Sequence, residues 1–174
     1  MQEDTLDIDY EVSNPGDAKL PFSIGAHPAF AWPLPGAGGK DTHRLVFEQA
    51  ETGPVYRPGA AGLLGATPEA WPGGGRELAL DEALFERGAL VQLSPASRHL
   101  RFSASGAPGI EVAWEGFSEL GIWMKPGGDF LCIEPWAGHA EIAGQEGDYR
   151  QKRGIRFLAP GERSSFRHSV TLLG

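Results

Sequence analysis

Leu6, Ile8, Tyr10 and Val12 alternate with Asp7, Asp9, Glu11 and Ser13, and this two-residue period stops at the turn Asn14-Pro-Gly-Asp17. An extended strand points successive side chains to opposite faces, so such a segment buries one face and needs another layer to bury it against. Further strands are predicted over 20–24, 44–48, 77–80, 89–93, 99–104, 110–114, 120–124, 130–134, 155–158 and 165–172. Gly, Pro or Ser clusters separate most of them, in keeping with 25 glycines and 14 prolines in 174 residues. Only 81–87 reads as a short helical turn. About eleven short strands with almost no helix predict an all-β fold, an antiparallel β-sandwich or barrel, as a single domain over residues 1–174. Residues 50–75 interrupt the pattern as a long irregular insertion, and loops of that length inside a domain are usually functional or mobile.

Charge and composition exclude several classes of function. A formal charge of -8 argues against nucleic acid, whose phosphates need a basic face, and against anionic membrane surfaces. The single cysteine, Cys132, rules out an internal disulfide framework. The opening Met1-Gln-Glu-Asp-Thr5 is acidic and polar, unlike a secretory signal, and no apolar run is long enough for a membrane span. The expectation is a globular, cytoplasmic protein.

Two segments carry chemistry. In Phe130-Leu-Cys-Ile-Glu134-Pro-Trp136, alternation puts Phe130, Cys132 and Glu134 on one face and Leu131 and Ile133 on the other. A carboxylate at the end of so apolar a strand is desolvated, which raises its pKa towards the range of a general base working near neutrality. The residues alone leave a second reading open, in which Glu134 pairs with an arginine at the strand end. Pro135 is predicted to end the strand. Trp136 offers an aromatic plane on which a sugar can lay its C–H face, and Phe30 adds aromatic surface near His27. Cys132, with no adjacent base, reads as a small buried hydrophobe. His27 lies between Gly25 and Pro28 in Ile24-Gly-Ala-His27-Pro-Ala-Phe30, a pinned backbone that holds an imidazole in one orientation for acid–base or structural use. Among the other histidines, His168 is predicted in the core, His43 and His99 facing solvent, and His139 bordering the cleft. No His-x-His, His-x-x-x-His or Cys-x-x-Cys spacing occurs, so no metal is predicted.

These two segments resemble the histidine and glutamate motifs of the aldose 1-epimerase (galactose mutarotase-like) family. Asp81-Glu-Ala-Leu-Phe85, Leu120-Gly-Ile-Trp-Met-Lys-Pro126 and Leu158-Ala-Pro-Gly-Glu162 are similar to further family segments, so the resemblance spans nearly the whole chain. It implies a galactose mutarotase-like supersandwich and interconversion of the α and β anomers of a free hexose without a cofactor. Glu134 would take the proton of the anomeric hydroxyl and His27 would protonate the ring oxygen. Asp81, Phe30 and Trp136 are the implied sugar-binding residues, and a small-molecule sugar the implied partner.

The chain departs from the family in two places. Nothing here matches the family's N-terminal section, which supplies an arginine and a second histidine, and Ala31 stands where many relatives have asparagine. The expectation is therefore a sandwich incomplete at its N-terminus, with weak or absent catalysis from this chain alone. Its exposed sheet edges predict a homodimer. Other readings are a non-catalytic sugar-binding module, an inactive fragment, and an enzyme for hexose phosphates drawing on Arg98, Arg101, Lys125, Lys152 and Arg153.

Overall fold

The alternating segments pair as antiparallel strands throughout. The computed structural model describes residues 4–174. Its strands are β1 (Thr5–Ser13), β2 (Leu20–Phe22), β3 (Ile24–Gly25), β4 (Ala29–Ala31), β5 (His43–Phe47), β6 (Glu77–Ala79), β7 (Leu90–Gln92), β8 (His99–Ala104), β9 (Ile110–Glu115), β10 (Glu119–Trp123), β11 (Phe130–Ala137), β12 (Arg156–Leu158) and β13 (Arg163–Leu172). Among the described residues the only helical elements are short 3-10 turns, and no helix is long and apolar enough to cross a membrane.

The larger sheet runs β1-β13-β9-β8-β5-β6, and the smaller runs β3-β11-β10-β7 with β4 also on β11. Strands β12 and β2 form a separate ribbon. Leu45, Phe47, Leu100, Phe102, Val112 and Trp114 of the larger sheet belong to one core with Leu90, Leu120, Ile122, Leu131 and Ile133 of the smaller, all at most 1% exposed. Burying each such side chain contributes roughly 1.5–3 kcal/mol, which holds the two layers face to face. This is the all-β antiparallel sandwich expected from the alternation. Strand β1 is an edge of the larger sheet, paired with β13 alone. Its inner residues Ile8, Tyr10 and Val12 are half-buried, while Leu6 is 60% exposed.

Strand β11 does not stop before Pro135 as predicted. It continues to Ala137, with Leu120 of β10 facing Pro135 and Gly121 facing Glu134. On its other side β3 and β4 share one register: Gly25 faces Trp136 and Ala29 faces Cys132. The Ala26 N–H donates to the Pro135 carbonyl at 3.0 Å and the Ile133 N–H to the Pro28 carbonyl at 3.3 Å, so contact persists between β3 and β4. The ladder is already broken there, so a proline with no N–H to give does little harm to the strand.

His43 is buried at 2% exposure rather than facing solvent. Its Nε2 accepts the Leu34 N–H at 2.9 Å, and Nδ1–H donates to the Gly39 carbonyl at 3.1 Å, so the ring closes the loop before β5. Burial holds its pKa below the ordinary 6.5, against the opposing pull of the Gly39 and Lys40 backbone and of Asp41. Burial lowers His168 in the same way beside Tyr10. A base whose pKa falls on folding contributes stability above its unfolded value and loses it as pH drops towards the folded value. The melting temperature is therefore expected to decline as pH falls from about 6.5 to about 5, and His43→Gln to flatten that decline. An identical slope in the variant would show that His43 does not titrate with unfolding.

Candidate active site

The register of β11 decides what stands beside Glu134. Leu131 and Ile133 point into the core, so Cys132, Glu134 and Trp136 point out of the opposite face. Carried across the gap between β3 and β4, the shared register sets His27 opposite Glu134. The His27 Nε2 and Glu134 Oε1 are 3.4 Å apart. On the other flank Glu134 faces Gly121, which in turn faces Val91 of β7. Three strands, β7, β10 and β11, and the gap between β3 and β4 thus contribute Val91, Gly121, Glu134 and His27 to one row across the outer face.

Trp136 occupies the neighbouring row, half-buried and facing Gly25. A Cβ at Gly25 would lie 2.6 Å from the indole Cδ1, and one at Gly121 2.6 Å from Cζ2. The ring therefore lies across the sheet over two flanking positions that only glycine leaves clear. Trp123 and Phe130 extend the aromatic surface, with the Trp123 ring 6.1 Å from His27 and edge-on to it. A cavity of about 530 Å³ opens beside Trp136, walled by Val91, by Leu63 and Leu64 of the long insertion, and by His139 and Lys152. The insertion is pinned over the sheet by a bridge between Tyr56 and Val91, and Leu64 packs with Val91, Leu93 and Ile142.

The two members of the pair sit in different surroundings. The His27 side chain is 63% exposed and that of Glu134 only 6%. Burial raises the Glu134 pKa, while the His27 charge and the polar hydrogens of Trp136 and Cys132 pull it back in part. Burial, reinforced by the Glu134 carboxylate, pushes the Cys132 thiol up to about 12, which leaves it protonated and a poor nucleophile. A carboxylate with raised proton affinity next to an open imidazole can pass a proton between two oxygens of a ligand resting on Trp136.

Not every predicted residue belongs to this face. Phe30 pairs with Leu131, so it points to the core side of the sheet and packs against the hydrophobic core. Asp81 is exposed and caps the 3-10 turn Glu82–Phe85, its Oδ1 accepting the Ala83 N–H at 2.9 Å, and that turn seats Phe85 in the core. Of the candidate basic residues, Arg98 donates to the Pro95 and Ser97 carbonyls and Arg101 pairs with Glu111, while Lys152 lines the cavity. Sequence reasoning missed Trp123 and Gly121 as parts of this face, and Gly25 as a seat for Trp136. It also missed Glu119, a buried carboxylate that accepts from Ser118 Oγ at 2.7 Å and the Gly138 N–H at 3.1 Å and so holds the chain just past β11.

The two-layer antiparallel sandwich is the fold of galactose mutarotase-like proteins of known structure. No family model matches the chain. It is 27% identical over 177 residues to the plasmid-encoded protein LacX of Lactococcus lactis subsp. lactis, a match covering 97% of this chain and 58% of that protein. It is also similar in structure to a galactose mutarotase related enzyme from Lactobacillus acidophilus, with TM-score 0.80 and 23% identity over 98% of this chain and 58% of the other. A galactose mutarotase-like protein from Lactobacillus casei ATCC 334 gives TM-score 0.81 and 24% identity over 95% and 58%. The chain thus spans a little over half the length of these relatives.

Glu134→Gln keeps the shape of the side chain and removes a buried charge. Because folding raises this pKa, ionising Glu134 costs nothing below its unfolded value of 4.5, and the cost grows as pH rises from there and is complete above the raised value. At pH 8 the variant is expected to melt higher than the parent, by about 2–4 °C for each kcal/mol of cost relieved. The gap should close by about pH 4. A variant that melts lower than the parent at pH 8 would show that the ionised carboxylate is stabilising instead.

Proposed function

We propose that the outer face of the smaller sheet interconverts the α and β anomers of a free aldose, as an aldose 1-epimerase does. The observation that carries this reading is the facing of Glu134 and His27 at 3.4 Å beside the flat indole of Trp136. The two oxygens that exchange protons in mutarotation, the anomeric hydroxyl and the ring oxygen, are bonded to one carbon, so acid and base must converge on a small volume. The sugar ring lies on Trp136. Glu134 accepts the proton of the anomeric hydroxyl, the bond between C1 and the ring oxygen breaks, and His27, carrying its proton, gives it to the ring oxygen. Rotation about C1–C2 and reclosure return both protons, so acid and base are regenerated and no cofactor is consumed. The cavity past Trp136 gives room for the rest of the sugar.

Exchange NMR on glucose and galactose tests the proposal. The chain is expected to exchange anomers faster than buffer alone, though more slowly than its longer relatives. Glu134→Gln and His27→Ala should each lower the rate by about 100-fold or to the buffer value. Equal rates in the parent and both variants would overturn the assignment. Thermal stabilisation by a sugar without any exchange would instead favour a binding module.

A further inference from the structure

His27, Cys132 and Glu134 bring a nitrogen, a sulfur and an oxygen donor to one spot. One ligand atom from each lies within 4.8 Å of the other two. Tetrahedral zinc with bonds of about 2.0–2.3 Å sets its ligand atoms about 3.3–3.8 Å apart. The imidazole and the carboxylate already satisfy that at 3.4 Å, so only the thiol must approach, by about 1 Å at most. Two of the three donors are fixed two residues apart on one face of β11, and the third is held opposite by the register of β3 and β4.

A second observation points to a cation here. Glu134 is 4% exposed, and among the described residues its only ion-pair partner is His27, with no arginine or lysine in reach. A buried carboxylate without a permanent positive partner gains from a cation that supplies one.

We propose that His27, Cys132 and Glu134 form a capture site for a single zinc-like, thiophilic divalent cation, with a fourth position open to solvent on the side of His27. The donor set excludes magnesium and calcium, which take several oxygens and no thiolate. Binding forms one bond each to nitrogen, sulfur and oxygen, and the thiol proton is released to solvent as the cation takes up the thiolate. The site does not depend on the epimerase reading. Where that reading holds, the ion engages acid and base together, so zinc is an inhibitor and not a cofactor.

Cobalt(II) titration of the intact chain provides the test, because thiolate ligation gives a near-ultraviolet charge-transfer band. Cys132 is the only cysteine in the sequence, so any such band reports this position. The expected result is a band that saturates at one equivalent and is displaced by zinc. It should vanish in Cys132→Ser and Cys132→Ala, two variants that guard against a folding defect in either. In His27→Ala and Glu134→Gln its midpoint should move to at least about 10-fold higher cobalt. The proposal is overturned by cobalt or zinc binding without the band. A band whose midpoint is unchanged in His27→Ala and Glu134→Gln also overturns it, since the thiol would then be acting alone.

Discussion

Antiparallel pairing places directly opposed residues on the same face of a sheet, and the site follows from applying that constraint to β11. One neighbour, β3–β4, keeps a single register on both sides of a break, and His27 stands in the break opposite Glu134. The other neighbour, β10, presents Gly121 to the same carboxylate. A slip of one residue in either pairing would turn His27 or Gly121 to the core face and dissolve the site. The break itself has local causes: Pro28 and Pro135 each lack an N–H, and the two hydrogen bonds that remain, from Ala26 and Ile133, hold the chains together without a continuous ladder.

The electrostatics follow from that placement. Glu134 is buried in a strand flanked by neighbours on both sides, and His27, in the gap between β3 and β4, is exposed. Burial raises the proton affinity of Glu134, and a desolvated carboxylate of this kind is a familiar compromise between stability and activity, in keeping with the role proposed for it. The facing of His27 and Glu134 that suits proton transfer also suits a thiophilic cation, for which Cys132 on the same face adds the third donor.

Much of the fold was legible because period-two alternation is a local signal. Leu6 to Val12 declare their buried face, and Glu134 and Trp136 are two residues apart and so are seen to share one. The meeting of His27 with Glu134 was not legible from spacing, because it depends on a register between segments about a hundred residues apart; the family resemblance suggested it instead. The resemblance implies Phe30 for the sugar, but it is three residues from His27, an odd offset that in an extended chain leads to the opposite face. It also implies Asp81 for sugar hydroxyls, yet an aspartate ahead of Glu82-Ala83-Leu84 equally fits a cap, and the cap is what forms. His43 is buried against expectation because nothing local reveals that the Leu34 N–H, nine residues earlier, needs an acceptor. That Gly25 and Gly121 seat Trp136, and that Trp123 borders His27, becomes visible only once the strands are paired.

A crystal structure of the chain with galactose bound would decide whether the sugar meets Glu134 and His27. The anomeric carbon is expected between these two side chains, with the sugar ring lying on Trp136 and the remainder directed towards the cavity bounded by Leu64 and Val91. A sugar bound on the larger sheet, or one whose anomeric carbon points away from Glu134, would contradict it.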